Sequence, residues 1–514
     1  MPVIGDDTRR RAPARRGAGI TALAAIMLAA VVAGCASPVE PAASSSSSRA
    51  TTTTTPVNVY EQQRASGVQR TLDELSTALR DGDANRVDAL LDAATAPAFR
   101  ARMRDTAVNF SGSAVRAEAA SRSTTPTTPA TASRAPSSPS RSRIARPSGS
   151  PTTSAPVPPR GTALRLDDFR YQVAPTTEAE ILVPPDLQQR LDEQGSSDSW
   201  VAPIELRYAL GGASTPGVDE PDVVVDMQLV MARYGDDWTV VGDASAIGGD
   251  PAPTQLWDLP GLGATDVSTA GGTSVIASYP DTAVVVERAR ELVPGSVDAV
   301  TAFWGDDWPR RAVLVATARP AEFSALARSA GTDVAAAAAA TVYSRVDSDD
   351  DVAVGQRVVL TPSAARFSAA ALGVVLRHEL THVAARVVTA AGAPLWITEG
   401  VPEYVGRKGT YVRFADAAPD LAVAVDAGQL PTDLPADADF AVDSDTARIA
   451  YQSAWSVAAY VADRFGEDRL RELYLGVAAT DDPARQGEAI ADALGISRAE
   501  LVAGWRRWLT TQVR

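Results

Sequence analysis

The sequence predicts a mixed α+β protein with an N-terminal unit and a larger C-terminal one, and three observations lead there. Apolar residues recur at helical spacing up to about residue 110, and the period drops to two after about residue 162. From Gly261 strand and helix patterns alternate, then pass into helices that continue to the end. At 514 residues with 45% hydrophobic side chains, the chain has enough material for two or three cores. The net charge of -15 argues against a nucleic-acid partner, because phosphate binding needs clustered Lys and Arg on a folded face.

The first element is an export signal. Arg9, Arg10, Arg11, Arg15 and Arg16 precede the apolar run "ITALAAIMLAAVVAG", and Cys35 follows it. That run falls short of the about 20 apolar residues a comfortable bilayer span needs. "VAGC" followed by Ala36 and Ser37 resembles a bacterial lipobox, which implies a signal peptide over residues 1–35 and acylation of Cys35. The expected location is therefore the extracytoplasmic face of the cell membrane, held there by lipid. Cys35 is the one cysteine, so an intrachain disulfide and a CxxC site are both excluded. Residues 36–56, with "SSSSS" and "TTTTT", read as a disordered tether.

The N-terminal unit is expected over residues 57–245. Val68, Leu72, Leu75 and Leu79, then Val87, Leu90 and Leu91, then Phe99 and Met103 predict two or three amphipathic helices. "DGDAN" at 81–85 has Arg86 where a calcium loop needs Gly, so it reads as a turn with a helix cap. Residues 111–161 turn to Ser, Thr, Pro, Ala and Arg and read as a disordered insertion. "LRLDDFRYQV", "IELRYAL" and "VVVDMQLVMARYGDDWTVVGD" then alternate as strands, with "YGDDW" as a hairpin turn. Helices followed by a curved antiparallel sheet resemble the cone of nuclear-transport-factor-like domains. "GGDPAPTQ" marks a linker over residues 246–260.

The C-terminal unit, residues 261–514, reads as strand 274–278, helix 282–304, strand 312–316, helix 321–329, strand 341–346 and strand 357–361, then a long helix. "DSDDD" at 347–351 reads as a hairpin tip, and the Asp-rich stretch 416–445 as an exposed loop.

The long helix carries "RHELTHVAAR", which holds both histidines of the chain, His378 and His382. Four residues apart on a helix, their rings can aim at one point, with Glu379 beside it. A catalytic zinc takes three protein ligands and leaves one position open. With no further histidine and no second thiol, the third donor must be a carboxylate, and "PLWITEGVPEYV" supplies Glu399.

"HELTH" followed by "WITEGVPEY" resembles the gluzincin metallopeptidases, whose pattern is HExxH and then Glu in a W-x-x-E-G-x-x-x-Y segment. The resemblance implies one zinc per chain on His378, His382 and Glu399, Glu379 as general base, and a peptide or protein as substrate. More narrowly, "FWGDDWPRRAVLVA" and "AYQSAWSVAAYVADRFG" resemble actinobacterial lipoproteins with a peptidase-MA-like domain. The amine-binding "GxMEN" segment of the membrane aminopeptidases is missing, so an endopeptidase is expected. Glu403, four residues after Glu399, is placed to hydrogen-bond a ligand imidazole. Tyr451 is the candidate donor to the oxyanion, with Tyr404 and Tyr411 competing. "QRVVLTP" is expected to be the edge strand that pairs with the substrate backbone. The alternative is a catalytically inactive surface lipoprotein that keeps the fold as a binding scaffold.

Overall fold

The computed structural model describes residues 59–111, 114–115, 164–175, 179–211, 222–327, 338–347, 351–441 and 446–513. The signal peptide, Cys35, the tether and nearly all of the expected insertion lie outside them. No helix among the described residues is long and apolar enough to cross a membrane.

Three helices open the first unit: α1 (Val59–Arg80), α2 (Ala84–Leu90) and α3 (Pro97–Phe110). The apolar spacing predicted α1 well, and Val68, Leu72, Leu75 and Leu79 are fully buried. Asp83 caps α2 by accepting from the Arg86 amide at 3.0 Å, so "DGDAN" is the cap it was expected to be. Five strands follow: β1 (Ala114–Val115), β2 (Arg165–Val173), β3 (Asp198–Gly211), β4 (Val223–Tyr234) and β5 (Asp237–Asp243), paired in that order. All pairs are antiparallel except β1 with β2, which is parallel. β1 lies at the start of the stretch read as disordered, a two-residue strand too short for any periodicity to reveal. One face of the sheet packs on α1 to α3, and α4 (Pro185–Glu193) covers Val201, Val230 and Val241 on the other.

The expected linker is not a tether. Leu256 and Trp257 form a short 3₁₀ turn with Asp258, and Trp257 is fully buried against Phe110, Phe169 and Tyr208. Gly and Pro mark a turn, but here the apolar pair after them closes the base of the first core.

The second unit has a sheet of five strands ordered β6-β7-β8-β12-β9: β6 (Gly263–Thr269), β7 (Gly272–Ser278), β8 (Val313–Ala316), β9 (Ala339–Val342) and β12 (Arg357–Leu360). α5 (Ala283–Trp304) joins β7 to the parallel β8, α6 (Pro320–Ala327) follows, and β10 (Arg345–Asp347) and β11 (Val352–Val354) form a separate hairpin. Along each central strand the side chains alternate between two cores. Ile276, Leu314, Val358 and Leu360 face the helices of the second unit, whereas Val275, Val313, Val315 and Val359 join the core of the first. Burial on both faces explains why "AVLVA" and "RVVL" read as unbroken apolar runs.

The strand order overturns one expectation. β12 is internal, hydrogen-bonded to β8 on one side and β9 on the other, so "QRVVLTP" cannot be the edge strand. The edge is β9, and among the described residues no strand pairs with its outer side. The expected strand 341–346 is two pieces, β9 and β10, with Tyr343 and Ser344 between them.

The rest is helical: α7 (Ala369–Ala385), the short α8 (Leu395–Thr398), α9 (Gly400–Arg407), α10 (Phe414–Ala417), α11 (Pro419–Asp426), α12 (Ala447–Phe465), α13 (Glu467–Val477), α14 (Pro483–Leu494) and α15 (Arg498–Gln512). Helices α10 and α11, with Leu421 and Val425 buried, replace much of the exposed loop expected from the Asp-rich composition.

Candidate metal centre

Helix α7 begins at Ser368, whose hydroxyl accepts from the Ala371 amide at 3.2 Å, and it is buried almost throughout from Leu372 onward. It packs on α5 on one side and on α9 on another. Two glycines make the second contact possible. A Cβ on Gly406 would sit 2.9 Å from the Val374 carbonyl oxygen, and one on Gly400 would sit 2.6 Å from that of Ala454. Bare backbone at both ends therefore lets α9 wedge between α7 and α12. Glu399, the residue joining α8 to α9, is thereby held against the histidine face.

The three expected donors converge. His378 Nε2 and His382 Nε2 are 3.0 Å apart, and Glu399 Oε2 lies 3.4 Å from the first and 3.7 Å from the second. All three side chains are buried, at 0%, 8% and 1% exposure. Bonds of 2.0–2.2 Å in a tetrahedral zinc site imply donor separations of about 3.3–3.5 Å, which brackets the middle of these values. The buried Glu399 Oε2 has no hydrogen-bond partner, an acceptor that water or protein would otherwise have to satisfy. The donor set thus fits a divalent cation of zinc's size and ligand preference.

The electrostatics point the same way. Burial by itself would lower the His378 pKa, but contact with Glu399 and the charges of Glu403 and Glu379 outweigh it and raise the value. Burial would raise Glu399, yet His382 and His378 more than offset it and hold the carboxyl down at about 2. Each side of this cluster favours a positive charge at its centre.

Glu379 is fully buried next to the donors and is not one of them. Its Oε2 accepts from the Thr341 hydroxyl at 2.6 Å, while Oε1 has no partner. One oxygen is clamped and the other left open. Thr341 belongs to the edge strand β9, and no local pattern marks it, because its partner lies 38 residues away.

Glu403 sits on the expected side of His378, with Oε1 at 4.0 Å from Nδ1. That distance exceeds a hydrogen bond, and Nδ1 has no partner. Glu403 is instead tied to Arg407, whose Nε donates to Oε2 at 2.5 Å. Its contribution to the ring is charge and not orientation. Tyr451 is 8% exposed and packs edge-on to Phe440 in a small cluster with Ala450, Ala454 and Leu395. Of its competitors, Tyr404 donates its hydroxyl to Glu467 at 2.7 Å, and Tyr411 stacks edge-on to Trp455. Arg386, one turn beyond His382, lies over the Tyr343 ring with its guanidinium carbon 4.7 Å from the centroid.

No family model matches the chain. No curated protein matches it in sequence either. Among solved structures, a variant of the M1 zinc metallopeptidase from Deinococcus radiodurans is similar at a TM-score of 0.31 and 10% identity, over 60% of this chain and 62% of that one. The chain thus spans less than two thirds of that protein's length. At the centre itself two imidazoles and a carboxylate meet beside a second, half-satisfied carboxylate.

Proposed function

We propose that the protein is a zinc-dependent endopeptidase held at the extracytoplasmic face of the membrane by a lipid on Cys35. The observation that carries the catalytic part is the meeting of His378, His382 and Glu399, all three buried, with separations of 3.0, 3.4 and 3.7 Å. Zinc held by these donors supplies Lewis acidity toward a scissile carbonyl and toward water. The protein's own residues do the rest. Glu379 Oε1 accepts the proton of the attacking water and then hands it to the leaving amine. Thr341 fixes Oε2, so the carboxylate keeps one orientation through both transfers. The side of β9 that no strand pairs with among the described residues offers backbone groups to an extended peptide, which favours peptides over small metabolites. Absence of an upstream amine-binding segment favours internal cleavage.

Purified protein lacking residues 1–56 is expected to carry one zinc and to hydrolyse peptides, and Glu379→Gln to keep the metal and lose the activity. Equal hydrolysis by both would remove the proposal, whereas zinc retained with no Glu379-dependent cleavage would favour a binding scaffold. The membrane part is tested separately, by palmitate labelling of cells carrying the wild type or Cys35→Ser.

A further inference from the structure

We propose that Arg386, backed by the Tyr343 ring, is a carboxylate-receiving subsite at one end of the cleft, and that the preferred substrates are peptides with a carboxylate near the scissile bond. The inference rests on the peptidase reading above and names its substrate class.

Placement comes from two elements running side by side. His378 and His382 share one face of α7, and Arg386, four residues further on, caps that helix and opens a short 3₁₀ turn. On the strand side, Thr341 and Tyr343 are two residues apart and meet Glu379 and Arg386 respectively. An extended chain advances about 6–7 Å over two residues, so Arg386 lies within one or two substrate positions of the general base.

The chemistry comes from what Arg386 lacks. It is 9% exposed, yet among the described residues no carboxylate, carbonyl or hydroxyl accepts from its guanidinium, which lies over the Tyr343 ring. The acids of the metal centre meet other groups: Glu379 bonds Thr341, Glu399 lies against the histidines and Glu403 bonds Arg407. The Arg386 stem is covered while the guanidinium nitrogens stay accessible, so a cation with no acceptor of its own is open to an incoming anion. Stacking on Tyr343 fixes the plane of the guanidinium and leaves its edge N–H groups for a planar, bidentate partner. A carboxylate has that shape. It can come from an Asp or Glu side chain or from the C-terminus of a short peptide.

The test uses zinc-loaded full-length protein and a synthetic peptide series. Glu replaces Gln at each of three positions on either side of the cleaved bond, with amidated or free C-termini to separate the two sources. Carboxylate peptides are expected to show kcat/KM higher by about tenfold or more, mainly through KM, as a hydrogen-bonded charge commonly gives. Arg386→Met should reduce the preference to less than twofold with zinc content unchanged, and Arg386→Lys should restore part of it. Binding of the same peptides to Glu379→Gln, measured by calorimetry, gives a second readout that needs no turnover. Glu379-dependent hydrolysis with no carboxylate preference, or a preference that survives Arg386→Met, overturns the subsite and leaves the peptidase reading standing. Carboxylate-dependent binding lost in Arg386→Met without any hydrolysis upholds the subsite and overturns the peptidase reading. No hydrolysis and no selective binding overturns both.

Discussion

Single side chains decide the chemistry, and the sequence reveals them unevenly. Two histidines in a chain of 514 residues, one helical turn apart, were legible because helical periodicity alone aims them together. Elimination left a carboxylate as the third donor, and the resemblance to the gluzincin pattern pointed to Glu399 among the acidic residues. Thr341 was not, since its hydrogen bond to Glu379 depends on which strand lies at the sheet edge. Replacing Thr341 with Val leaves Glu379 Oε2 buried without a donor, which should cost about 1–3 kcal/mol of stability by chemical denaturation. It should also lower kcat, because the carboxylate loses the contact that fixes its orientation, whereas zinc content should not change. pH provides a second check in metal-free protein. The raised His378 contributes stability below its unfolded value of 6.5 and loses it as pH rises through the folded value. The depressed Glu399 contributes above 4.5 and loses its share as pH falls toward about 2. The difference in Tm between wild type and Glu399→Gln, both in EDTA, is therefore expected to peak between pH 4.5 and 6.5 and shrink on either side.

At the level of elements, what periodicity encodes was readable and what pairing encodes was not. α5 was expected over 282–304 and spans Ala283–Trp304, because a buried stripe from Val285 to Trp304 repeats at helical spacing. β9 escaped notice at its start: Ala339 and Ala340 end an alanine run that favours helix as a local sequence, and only pairing with β12 makes them a strand. That pairing also puts β9, and not "QRVVLTP", at the edge of the sheet. The wedge of α9 is the element on which the third donor depends. Gly406→Ala puts a methyl 2.9 Å from the Val374 carbonyl and 3.4 Å from His378 Cβ, so α9 must move away from α7. The expected result is a loss of about 1–3 kcal/mol of stability together with weaker zinc retention, measured by thermal melts and by competition with a chelator. Unchanged zinc affinity would mean that Glu399 is held by something other than this packing.

On the scale of the whole molecule, composition and the change of period gave the α+β class and the two units, but not their mechanical relation. The sheet of the second unit buries one face in its own helices and the other in the core of the first, so neither unit has a complete surface alone. Residues 261–514 expressed by themselves should be insoluble or poorly folded, and the full chain should melt in one calorimetric transition. Trp257→Ala, at the seam, should cost about 3–5 kcal/mol. Two well-separated transitions would show that the seam is weaker than its burial implies. The proposed chemistry requires Glu399 to complete a metal site with the two histidines, and zinc content after dialysis against a weak chelator is the decisive measurement. Wild type is expected to retain one zinc per chain and Glu399→Ala to lose it, with the helical circular dichroism of both unchanged; equal retention by the two proteins, or no zinc in either, would contradict the account.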